Sequence, residues 1–120
     1  MSDVLKIYTY NKCSTCRKAI AWLEEKNIEY QLIDIINTPP TKNQFYLAMK
    51  QLGAIKYLLN TSGKSYRSIG ANTIKSMSED QIIKLLISDS KLIKRPFVIN
   101  NNGDILVGFN ESKWINCLIS

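Results

Sequence analysis

The first 35 residues constrain the fold more than any other part of the chain. Residues 4 to 10 are rich in β-formers and end at Asn11. Ser14 to Asn27 puts Cys16, Ala19, Ile20 and Leu23 at helical spacing, so it reads as a helix with one apolar face. Tyr30 to Ile35 reads as a second strand without alternation, the pattern of a buried parallel strand. Strand, helix and strand in this order predict a right-handed βαβ crossover.

The remainder divides into a helical middle and a β-containing end. Thr38-Pro39-Pro40 stops the second strand, and Thr41 with Gln44 three residues on is a capping-box pattern. The helix it opens carries Phe45, Ala48, Met49 and Leu52 on one face and ends at Gly53. A short helical piece follows at Ile55 to Leu59, then a loop at 60–65 and a turn of helix at Tyr66 to Ile69. Ser78 with Gln81 is a second capping box, leading into Ile82, Leu85 and Leu86. Residues 97–100 and 105–108 are apolar runs joined by Asn101-Asn102-Gly103-Asp104, which is turn chemistry, so they predict a β-hairpin. Glu111 to Ile119 closes the chain as a helix with Trp114, Cys117 and Leu118 inward. The expected architecture is α/β: a single domain, residues 1–120, with βαβ and ββα halves and a helical insertion at about 38–91.

Composition excludes several functions. The chain has no histidine, which removes Cys-His and Ser-His-Asp hydrolases and Cys2His2 zinc sites together. Three cysteines are too few for a four-thiolate zinc site, so no metal is expected. The longest apolar runs span only a few residues, far short of a membrane helix, and the N-terminus lacks a basic-then-apolar leader. The expected location is the cytoplasm, where thiols stay reduced. The formal charge of +6 is spread along the chain, without the dense basic run of a nucleic-acid arm. Gly63-Lys64-Ser65 is not a phosphate loop, because Leu58 stands where that motif needs glycine.

The residues that carry chemistry sit where the first strand meets the first helix. In Cys13-Ser14-Thr15-Cys16, the leading cysteine precedes the first helical turn. The unpaired N–H groups of that turn, including those of Ser14 and Thr15, favour a thiolate at Cys13 and make it a nucleophile. Lys12, Arg17 and Lys18 add positive charge. Cys16, one turn on, is placed to resolve a mixed disulfide. A CxxC pair also suits zinc or two inert core cysteines; the junction favours the redox reading. Cys117 reads as a buried, inert cysteine. Arg95 precedes Pro96 at the start of the hairpin and offers a bidentate contact to an oxyanion or a thiolate.

Five segments together resemble the arsenate-reductase-like ArsC/Spx family of the thioredoxin superfamily. They are residues 11–19, 38–41, 60–67, 92–96 and 107–109. The resemblance implies a thioredoxin-like fold with a four-stranded mixed sheet, and a cis-proline site at Arg95-Pro96 beside the thiol. It implies a thiol-dependent oxidoreductase of arsenate-reductase type with Cys13 as nucleophile. The resolving role of Cys16 follows from its place one turn on, since the arsenate reductases resembled here lack a cysteine at that position and the Spx-like regulators carry the CxxC pair. The resemblance further implies Arg95 as a catalytic partner, with Lys12, Ser14, Thr15, Arg17 and Pro96 expected to line the substrate or oxyanion site. No tightly bound cofactor is implied, only a thiol reductant such as glutathione or glutaredoxin. The implied partners are a small oxyanion, glutathione or a protein disulfide, with no direct nucleic-acid or membrane contact and a monomeric chain. The arsenate reductases resembled here surround their oxyanion with three arginines, of which only Arg95 is matched; Asn60 and Phe109 occupy the other two positions. At roughly 1.5–3 kcal/mol per charge-assisted contact, that loss predicts weak arsenate binding. The alternative implied is an Spx-like redox-sensing regulator that binds the α-subunit tail of RNA polymerase through a surface around Gly53.

Overall fold

The computed structural model describes residues 4–119. The chain forms two compact units, one running to Thr38 and resuming at Arg95, the other Pro39–Lys94.

The first unit is a sheet with two helices. Strand β1 (Leu5–Thr9), helix α1 (Ser14–Glu25) and strand β2 (Tyr30–Asp34) form the expected parallel crossover, with Leu5 opposite Tyr30 and Thr9 opposite Asp34. Strands β3 (Phe97–Ile99) and β4 (Ile105–Val107) form the hairpin, and β3 runs antiparallel to β1. The sheet order is β2-β1-β3-β4, so the sheet is mixed and four-stranded. Leu5, Ile7 and Val98 pack with Ala19, Trp22 and Leu23 of α1 and with Trp114 of helix α6 (Glu111–Leu118). Burying each large apolar side chain there contributes about 1.5–3 kcal/mol. Trp22, Phe109 and Trp114 form an edge-to-face aromatic cluster, with Phe109 and Trp114 centroids 4.9 Å apart. The Trp114 indole N–H donates to the Gly108 carbonyl at 3.1 Å.

Two expectations for this unit need correction. Strand β2 is parallel but not buried: it lies at the sheet edge and Leu32 is 56 % exposed. An unbroken apolar run identifies a strand but does not say whether a neighbour covers each face. Cys117 is half-buried rather than buried, with its sulfur 3.7 Å from the Asn100 amide, which donates to it. Burial, followed by the charge of Asp104, pushes that thiol's pKa up.

The second unit is helical. Helix α2 (Lys42–Leu52) opens on a complete capping box between Thr41 and Gln44 and ends at Gly53, whose φ is 94°. A 3-10 turn at Ile55–Leu58 leads to the short helices α3 (Lys64–Ile69) and α4 (Ala71–Lys75). Helix α5 (Glu79–Ser88) opens on a second capping box, between Ser78 and Gln81. Its buried residues are Ile82, Ile83 and Leu86. A second 3-10 turn, Ser90–Leu92, completes the unit. Among the described residues no helix is long and apolar enough to cross a membrane.

Candidate active site

The site is built at the C-terminal end of β1. After Thr9 the chain turns, and the Cys13 N–H donates to the Tyr10 carbonyl at 3.0 Å. This turn sets Cys13 at the N-cap of α1, with extended backbone at φ −105° and ψ 110°. Its sulfur accepts the Cys16 N–H at 3.2 Å. The acceptor of the first helical turn is therefore a sulfur atom, and it faces the positive end of the helix dipole. Cys13 is half-buried, in contrast to Cys16.

The second cysteine lies in a different environment. Cys16 is 1 % exposed and its pKa is pushed up to about 12. Burial is the largest cause, followed by a hydrogen bond with the Cys13 side chain. Hydrogen bonding by the Tyr10 backbone and the positive charge of Arg95 oppose the rise, and the charge of Cys13 adds to it. The two thiols thus differ in environment: one is half-buried at a helix N-terminus, the other is buried, neutral and in contact with it.

Arg95 and Pro96 close the site from the hairpin side. Their peptide bond is cis, and the Pro96 carbonyl accepts the Gly108 N–H at 2.9 Å, tying the start of β3 to the end of β4. The Arg95 guanidinium stacks over the Tyr10 ring, 5.2 Å from its centroid. Tyr10 therefore serves the site twice, anchoring Cys13 through its backbone and supporting Arg95 with its ring. Sequence reasoning missed it, although its place at the strand-to-helix junction was a usable signal. Of the remaining candidates, Lys12, Ser14, Thr15 and Arg17 are exposed around the first turn of α1. One Arg17 N–H donates to the Asn11 carbonyl at 3.1 Å. Gly53 lies in the helical unit, exposed, with open space where a Cβ would stand.

The two positions without arginine have structural occupations of their own. Phe109 is held in the aromatic cluster with Trp22 and Trp114. Asn60 fastens the 60–63 loop: its N–H donates to the Leu92 carbonyl at 2.8 Å, and its amide oxygen accepts the Ser62 hydroxyl at 3.2 Å. Among the described residues, no group of three or more acidic or cysteine side chains is placed to hold a metal ion.

Comparison with known proteins agrees with this construction. The ArsC family model matches residues 8–117. The chain is 40% identical to the uncharacterized protein YusI of Bacillus subtilis (strain 168), over 92% of this chain and 94% of that one. It is 29% identical to the global transcriptional regulator Spx 2 of Bacillus anthracis, covering 89% of this chain and 81% of the regulator. The crystal structure of a possible arsenate reductase from Streptococcus mutans UA159 superposes with a TM-score of 0.81 at 38% identity, over 89% of this chain and 92% of that one. The sheet order, the cysteine at the head of α1 and the cis-proline turn are one thioredoxin-like arrangement, and the chain belongs to the ArsC family.

Proposed function

We propose that this chain is a thiol-dependent oxidoreductase of arsenate-reductase type, with Cys13 as nucleophile and Cys16 as resolving thiol. The observation that carries the reading is the Cys13 sulfur accepting the Cys16 N–H at the head of α1 while Cys16 itself is buried and protonated. The Cys13 thiolate attacks one sulfur of a disulfide substrate. The S–S bond breaks, one half leaves as a thiolate that takes a proton, and the other half remains on Cys13 as a mixed disulfide. Cys16 then loses its proton and attacks the Cys13 sulfur, releasing the second half and closing a Cys13–Cys16 disulfide. Two electrons pass from the dithiol to the substrate, and an external thiol of the glutathione or glutaredoxin class returns them.

The sequence of steps has its own control. The hydrogen bond and charge of Cys13 help hold Cys16 protonated. Once Cys13 is in a mixed disulfide its charge is gone, and Cys16 acidifies when its turn comes. Arg95 steadies negative charge at the reacting sulfurs. For arsenate itself the site offers Arg95 alone of the three arginines, so disulfides are the better substrates.

The test uses Cys16→Ser, which removes the resolving thiol. Incubation with bis(2-hydroxyethyl) disulfide should leave one stable mercaptoethanol adduct on Cys13, seen as a mass increase on its peptide. No adduct, or an unchanged reductase rate in Cys13→Ser, overturns the reading.

A second reading is supported by the regulators among the relatives and by Gly53. That glycine ends α2 with a φ of 94° and leaves open space above its backbone, so a partner can approach closely. On this reading the surface binds the α-subunit tail of RNA polymerase. Retention of purified α-subunit tail on immobilised protein, lost in Gly53→Arg, would support it; no retention in either redox state would end it.

A further inference from the structure

A cleft of about 360 Å³ opens beside the buried cysteine, on the side of α1 that faces β2. Its lining includes Tyr10, Cys16, Arg17, Ile20, Leu32 and Asp34. This volume falls within the range of small-molecule sites, about 300–1,000 Å³. Cys16 is part of the wall, and its N–H donates to the Cys13 sulfur at 3.2 Å, so an occupant of the cleft lies beside the resolving thiol, one residue contact from the nucleophile.

Arg17 and Asp34 give the cleft its chemical character. They line the same space with opposite charges, yet among the described residues they do not meet as an ion pair. Each is held by neighbours and keeps capacity for a ligand. Arg17 uses one N–H on the Asn11 carbonyl. The Asp34 carboxylate accepts the Ile36 N–H at 2.9 Å on one oxygen and the Asn37 amide at 3.0 Å on the other. Every carboxylate oxygen has a second lone pair, and a guanidinium has five N–H donors. A purely anionic ligand would meet Asp34 and a purely cationic one would meet Arg17. A ligand with both charges satisfies both, while Ile20 and the exposed face of Leu32 accept its methylene arm.

We propose that this cleft recognises a disulfide substrate bearing an α-amino-acid zwitterion, its carboxylate drawn to Arg17 and its ammonium to Asp34. The inference rests on the reductase reading and names the substrate class for that site. A free amino-acid disulfide and a γ-glutamyl peptide disulfide share this chemistry. The reaction is the exchange already described, with the amino-acid thiol as each leaving group and two electrons drawn from Cys13 and Cys16.

The experiment is a single turnover with pre-reduced protein freed of reductant, so no co-reactant is needed. L-Cystine, cystine dimethyl ester, N,N′-diacetylcystine, glutathione disulfide and bis(2-hydroxyethyl) disulfide are each supplied in excess, and loss of protein thiols is followed. Each rate is divided by the rate of the same disulfide with a small free thiol. Cystine should exceed the ester, which lacks the carboxylate, and the diacetyl compound, which lacks the ammonium, by about five- to tenfold. In Asp34→Asn the preference for cystine over the diacetyl compound should fall to about onefold. The place of glutathione disulfide in the series tells the tripeptide source from the free amino acid. Equal corrected rates for all five, or a preference for cystine over the diacetyl compound that survives Asp34→Asn, overturn the inference while leaving the reductase reading intact. If no disulfide reacts, the reductase reading fails. The cleft is then judged by titrating the non-reducible S-methylcysteine against the Ile20 and Leu32 methyl resonances, where no shift overturns it.

Discussion

Three helices of this protein begin in two different ways. Helices α2 and α5 open on reciprocal boxes, in which the Thr41 or Ser78 hydroxyl accepts the N3 amide and a glutamine side chain accepts the cap amide. Helix α1 opens on Cys13, whose sulfur accepts the Cys16 amide at 3.2 Å, and the residue at N3 is a buried cysteine instead of a glutamine. Sulfur is a weaker acceptor than oxygen, and here no side chain returns a bond to the cap amide. Helices α2 and α5 use their caps for stability; on the proposed reading, α1 gives up part of that stability to keep a reactive atom at the same kind of position. A helix N-terminus thus has one electrostatic property and two uses, and the cap side chain decides between them.

The sharpest way to break this contrast is to compare the cysteines by alkylation. Cys13 is half-buried at a helix head, Cys16 is buried with its proton held, and Cys117 is half-buried with a raised pKa. Iodoacetamide at neutral pH, with peptide mass spectrometry at timed points, should label Cys13 about a hundredfold faster than Cys16. Similar rates at the two would remove the division of labour.

A smaller effect appears in alkali. The ordinary value for a thiol is 9.0, whereas Cys16 keeps its proton to about 12 in the folded chain. The unfolded chain therefore loses a proton that the folded chain retains. Stability is full below pH 9 and falls as pH climbs toward 12. Denaturant melts across that window should show a steeper decline than in Cys16→Ala, by up to one proton, or ~1.4 kcal/mol per pH unit. Parallel slopes would mean that Cys16 is not held neutral.

Much of this was legible in the sequence because it is local. Both capping boxes, the stop at Gly53, the hairpin and the cysteine at the strand-to-helix junction each depend on a few consecutive residues. What depends on packing was not. Leu32 belongs to a run that reads as buried, but β2 has a partner on one side only. Helix α4 and the 3-10 turn at Ser90–Leu92 are too short to show a period. Tyr10 and Asp34 join the site through contacts between elements, and the aromatic cluster that claims Phe109 draws on residues 22 and 114 as well.

The smallest effects test the cap contrast itself, and they should have opposite signs. Thr41→Ala and Ser78→Ala each remove a hydroxyl that accepts an N3 amide and each leave a glutamine with half of its box. Each should cost about 1 kcal/mol in denaturant melts. Cys13→Ser replaces sulfur with an oxygen that caps better at the same backbone geometry, which is already extended as a cap requires. It should gain about 0.5 kcal/mol while losing the reductase activity entirely. A reactive residue that is also the better structural choice would lose both together. Stability rising as activity vanishes marks Cys13 as a position held for its chemistry, and a Cys13→Ser variant that melts earlier than the parent would show that the sulfur was serving the fold after all.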